Sequence, residues 1–227
     1  MKCGSLPAKA DPEKQRAFYY DILKPLIDRA KEGAVTLLFM DASHFVMGCD
    51  FLGYIYGITR RFIKTYSGRK RYNVLGALNF VSKKVSTVTN DAYITASEVC
   101  DLLKKIAVEY AGKPIYIVLD NARYQKCALE TELAIQLGIH LVFIPPYSPN
   151  LNLIERLWKH VKNKLRTKYY DVFDDFQKKI DSIVSDTDKK DIIVVNRLIG
   201  EKVQLFDNHR TDCGETANGC EFEKQVA

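Results

Sequence analysis

The chain has 227 residues, 47% of them hydrophobic and 27% charged, with 34 basic against 28 acidic side chains and a net charge of +6. That balance belongs to a globular domain rather than a disordered or fibrous chain, and the length suits one substantial domain. Even the run Ala34 to Met40, apolar but for Thr36, falls far short of the ~18 residues a bilayer span requires, and no apolar leader opens the chain, so a cytoplasmic protein is expected.

Residues 11–31 have helical spacing, with Pro12 near the start and Pro25 interrupting the pattern, and Gly33 closing it. The run AVTLLFMD reads as a buried strand ending at Asp41. Two more strands are expected around Phe51–Thr59 and Tyr72–Phe80, joined by the basic turn KTYSGRKR; an antiparallel meander is the economical topology. Ala92–Tyr110 reads as a helix, stopped by Gly112 and Pro114. IYIVLD follows, a second buried strand ending in aspartate, Asp120. A helix over about Gln125–Leu137 leads to a third such strand, HLVFI, and this strand–helix–strand alternation implies parallel pairing. The loop PPYSPNLN is held extended by its prolines and delivers the chain into a helix starting near Leu151, whose Leu153, Leu157, Val161 and Leu165 form an apolar stripe. A further helix spans Val172–Ser185. From Asp207 onward the sequence is polar and aperiodic. The division expected is a helical lead-in over 1–33, one α/β domain over 34–206 and a loose tail over 207–227.

An aspartate at the carboxyl end of a buried strand sits at the sheet rim, where open α/β folds keep their ligands. Asp41 and Asp120 both have that place, and Glu155, in the first turn of the helix after the PPYSPNLN loop, lies at the edge of the apolar stripe. Any one of them is more commonly a turn former, a cap or a favourable charge at a helix start; the conjunction of three points elsewhere. Clustered carboxylates need a counter-charge, and hard oxygen ligands select Mg²⁺ or Mn²⁺. Two such ions, roughly 3.5–4 Å apart, serve in-line displacement at phosphodiesters. Basic clusters fit a polyanionic partner: Arg69, Lys70 and Arg71 with their neighbours, and Arg156, Lys159 and Lys162 on the Glu155 helix. A solvated surface is the plain alternative. The six cysteines have neither zinc-ribbon nor disulfide-framework spacing and read as reduced thiols. His44 reads as packed at a strand end, Asn121 as a turn or metal-shell residue, Ser148 and Asn152 as caps, and Trp158 as core. His160, Asp50 and Cys127 receive no role.

FMDASHFVMG, LDNARYQKC and above all IPPYSPNLNLIERLWKHVKNKL resemble the three catalytic motifs of bacterial insertion-sequence transposases in the mariner-like branch of the DDE superfamily. Thirty-four residues separate Asp120 from Glu155, the interval typical of that branch, and the resemblance covers roughly residues 7–206. It implies an RNase H-like fold: a mixed five-stranded sheet, three strands antiparallel and then two parallel, flanked by helices. It also implies Asp41, Asp120 and Glu155 as catalytic and metal-binding acids, two Mg²⁺ or Mn²⁺ ions, DNA (transposon ends and target) as partner, and a homodimer acting on paired ends in the bacterial nucleoid. Family members carry helix-turn-helix domains for end recognition, which this chain is expected to lack. The competing expectations are another RNase H-like nuclease and a catalytically idle DNA-binding or assembly fragment of a transposase.

Overall fold

The computed structural model describes residues 9–47, 68–120, 128–165, 169–186, 199 and 205. Helix α1 (Pro12–Phe18) is capped by Asp11, whose side chain accepts the Lys14 N–H. It runs through a π-helical turn, Tyr19–Leu23, into α2 (Lys24–Lys31). Pro25 therefore does not break the helix as its position suggests: the widened turn, in which the Lys24 N–H reaches back to the Tyr19 carbonyl, takes up the mismatch that a proline ring imposes.

Among the described residues, five strands form one sheet in the order β3-β2-β1-β4-β5. They are β1 (Thr36–Met47), β2 (Lys70–Asn79), β3 (Val85–Asn90), β4 (Ile115–Leu119) and β5 (Ile139–Phe143). β1 pairs antiparallel with β2, and β2 with β3; β1–β4 and β4–β5 are parallel. The sheet is thus the mixed, three-then-two arrangement of the RNase H-like fold.

Two expectations change. β1 does not stop at Asp41 but continues six residues to Met47, because Phe45 and Met47 are buried on the same face as Leu37 and Phe39. Among the described residues the antiparallel trio is completed by β3, a strand the sequence did not announce; the strand expected over Phe51–Thr59 lies outside the described residues. VSTVTN is polar and half-buried, with a mixed burial pattern, so it carries no hydrophobic signature of a buried strand.

Each face of the sheet has its own core. On one, Leu37, Phe39, Val74, Leu78 and Val118 pack against α2, α5 (Ile154–Leu165) and α6 (Phe173–Asp186). On the other, Leu38, Met40, Leu75, Ile117 and Leu119 meet α3 (Ala96–Glu109) and α4 (Ala128–Gln136). α3 opens with a reciprocal capping box between Thr95 and Glu98, four residues later than the periodicity places it. No described helix is long and apolar enough to cross a membrane.

Gly76 fixes how closely α5 can approach. It pairs with Asp41 across β1–β2, and a Cβ built there would lie 2.8 Å from Trp158 Cη2 and 2.9 Å from Cζ2. The indole rests on bare backbone, with Phe45 edge-on to it at 6.2 Å between ring centroids. Gly76→Ala is expected to destabilise the fold by about 1–3 kcal/mol through overpacking, read as a lowered urea midpoint at unchanged slope. An unchanged midpoint would mean that the indole yields freely.

Candidate active site

The side chains of β1 alternate between faces, so Asp41 belongs with Leu37, Phe39 and Phe45. On β4, Val118 shares that face. Phe39 registers with Val118 across the parallel pair; two residues further along each strand stand Asp41 and Asp120. The helix covering this face is α5, and Glu155 lies in its first turn. Strand alternation, a parallel register and one helix N-terminus therefore bring three acids, far apart in sequence, to one region.

Their electrostatics agree. Asp41 is 8% exposed. Burial pushes its carboxyl up to about 8, and the charges of Glu155 and Asp120 push the same way; the Ala42 N–H and the Trp158 indole pull it down. Glu155 is solvent-exposed yet walled by protein at the cleft, and that partial desolvation raises its pKa. Lys162 opposes the rise and Asp120 adds to it. Trp158 Nε1 is buried, lies beside Asp41 and falls short of a full hydrogen bond to any partner among the described residues.

Asp120 and Glu155 line one cleft of about 460 Å³, whose remaining wall is the loop from Ile144 to Asn152. That loop is braced within itself and tied to two other elements. The Ser148 hydroxyl donates to the Pro146 carbonyl (3.2 Å), Asn150 Nδ2 to Gln15 Oε1 (3.0 Å) and Asn152 Nδ2 to the Met40 carbonyl (3.0 Å). Asn152 is buried, and its own carbonyl accepts the Glu155 N–H at 3.2 Å. It ties the strand residue before Asp41 to the start of the Glu155 helix, a positioning role that the cap expectation missed. Only its place between the loop and Glu155 hinted at it. Ser148 makes no side-chain cap either.

The donor set is entirely hard oxygen, and acids that raise one another toward the neutral form fit small divalent cations, which would let all three ionise together. As they stand, no three acidic, histidine or cysteine side chains among the described residues are close enough to share one ion. Like-charged carboxylates do not close on each other without a cation between them.

Other sequence candidates separate. His44 sits on the opposite face from Asp41; its Nδ1 donates to Asn73 Oδ1 (2.6 Å), because the Asn73 amide already donates to Asn90 and to the Ala92 carbonyl. Trp158 is core, 2% exposed. Asn121 and Cys127 lie outside the described residues. Arg69, Lys70 and Arg71 line a second cleft of about 550 Å³ with Tyr93, Phe173 and Asp91; Gln177 donates to Asp91 there (2.7 Å). Lys70 registers with Met47, so this cleft lies roughly 20 Å along β1 from Asp41, six residues at ~3.3 Å each. The three basic residues of α5 differ in setting. Arg156 is half-buried, Lys159 is exposed, and Lys162 stands 5.8 Å from the Phe45 ring centroid and within electrostatic reach of Glu155.

A family model described as DDE superfamily endonuclease matches residues 36–177. Among curated proteins, none matches in sequence. Solved structures are similar in fold. Against the Mos1 strand transfer complex the TM-score is 0.64 at 14% identity, covering 88% of this chain and 61% of that one, so the chain spans under two thirds of that protein. The Mos1 transposase paired-end complex with left transposon end gives 0.60 at 11% identity, covering 90% and 68%. The catalytic domain of Mos1 mariner transposase gives 0.57 at 12% identity, covering 86% of this chain and 91% of that domain.

Proposed function

Because the chain belongs to the DDE superfamily endonucleases, we propose that it is the catalytic domain of a DNA transposase of insertion-sequence type, cutting and joining phosphodiesters at transposon ends. The observation that carries this reading is that Asp120 and Glu155 line one cleft while buried Asp41, on the same sheet face, feels the charge of both, its carboxyl raised to about 8 by burial first and by that repulsion next. The three carboxylates are the groups that would hold Mg²⁺ or Mn²⁺, which when bound supply an activated attacking oxygen and a stabilised leaving oxygen.

The chain's own residues do the rest. Asn152 and the proline loop fix where Glu155 begins its helix. Lys162 offsets the Glu155 charge, and the buried floor of Phe45 and Trp158 keeps water from behind Asp41. Arg69, Lys70 and Arg71 form a cationic groove for DNA phosphates on the β1–β2 end, and exposed Lys159 a second contact. A homodimer with paired active sites suits the joining of two ends.

Labelled duplex DNA incubated with the protein should be nicked in Mg²⁺ or Mn²⁺ and left intact in EDTA, scored on a denaturing gel. Binding without cleavage in either metal would favour an idle DNA-binding module. Cleavage confined to RNA–DNA hybrids would favour a ribonuclease H activity.

A further inference from the structure

Tyr147 lines the acid cleft together with Asp120 and Glu155. Its backbone is left-handed, φ 59°, a region where a bulky aromatic is a genuine outlier and glycine is the comfortable occupant. Burial does not compensate, because the side chain is 52% exposed. The strain is held in place by the loop's bonds: ahead of Tyr147 the Ile144 N–H donates to the Leu119 carbonyl, across it Ser148 is bonded back to Pro146, and after it Asn150 is bonded to Gln15 and Asn152 to the β1 backbone. Strained residues that persist in this way gather at ligand-contact positions. The ring also has a cation beside it, with Lys9 Nζ 5.9 Å from its centroid.

We propose that Tyr147 is a nucleobase subsite, whose ring stacks on a base displaced from the duplex beside the phosphodiester held at the acid cleft, while Lys9 meets the adjoining phosphate. An exposed aromatic face paired with a cation suits a nucleotide, offering a π surface for the base and a charge for its phosphate. Stacking of this kind tolerates any base, so the subsite favours unpaired over paired DNA rather than one sequence over another. This inference rests on the nuclease reading above and adds the place where the strand is opened.

The test compares Tyr147→Phe, Tyr147→Ala and Tyr147→Gly with the parent in three readouts: thermal midpoint, KM and kcat for nicking, and quenching of 2-aminopurine placed beside the nick site, bound in Ca²⁺. Tyr147→Phe should match the parent. Tyr147→Gly should melt at a higher temperature, since the backbone strain is released, yet lose the quenching and bind DNA about ten- to a hundred-fold more weakly. Tyr147→Ala should lose binding without the gain in melting temperature. Full binding and quenching by Tyr147→Gly would overturn the proposal, as would a Tyr147→Phe defect equal to that of Tyr147→Gly. A parent that quenches 2-aminopurine but nicks nothing keeps the subsite and removes the nuclease reading; nicking without quenching does the reverse.

Discussion

Asparagine in place of Asp120 is expected to slow DNA nicking by on the order of a thousand-fold or more. The substitution keeps the shape of the side chain at the end of β4 and leaves the buried strand residues Ile117, Val118 and Leu119 untouched, so the fold should survive. What it removes is one anionic oxygen from the set that holds the cations. Metal stabilisation of transition-state charge is worth several kcal/mol, and each ~1.4 kcal/mol is tenfold in rate. Glu155→Gln should fall by a similar factor, with circular dichroism unchanged in both variants. A rate within about tenfold of the parent for either would remove that residue from the catalytic set.

Asp41 should leave its mark on stability. Its carboxyl titrates near 8 in the folded chain against an ordinary value of 3.8, so the folded chain keeps a proton that the unfolded chain releases. The stabilisation is fully present below about pH 4 and is lost as pH rises through about 8. Metal-free protein should therefore weaken across that window, with a slope approaching ~1.4 kcal/mol per pH unit from this group alone. Glu155 and the buried Glu130, raised by burial to about 7, act in the same direction. Asp41→Asn should remove the Asp41 share, giving a flatter profile and a more stable metal-free protein at pH 8, measured by urea unfolding in EDTA at pH 5, 6.5 and 8. A variant with the parent's slope would mean that Asp41 is already ionised. Divalent cations must displace this proton, so their affinity should climb with pH to about 8.

The acids were legible in the sequence because their signals are local: an aspartate in or just after an apolar run, and a glutamate just inside an amphipathic helix. The lengths of the strands were not. Phe45 and Met47 continue β1 past Asp41, but His44 and Ser43 between them break the apolar run in which the strand is recognised. Polar VSTVTN forms β3 because β2 offers it a partner, a non-local cause. Pro25 reads as a breaker until the π turn before it is seen. The roles of Asn152 and Tyr147 depend on a hydrogen bond to another element and on a backbone angle, and neither leaves a periodic trace.

Trp158 is the chain's sole tryptophan, and its indole lies beside Asp41. Titrating metal-stripped protein with Mn²⁺ while recording its fluorescence tests whether the three acids share cations. Saturable quenching, accompanied by proton release at pH 7 and lost in Asp120→Asn, is the expected result. Emission that ignores Mn²⁺, or that responds equally in the parent and the variant, would contradict a metal site built from Asp41, Asp120 and Glu155.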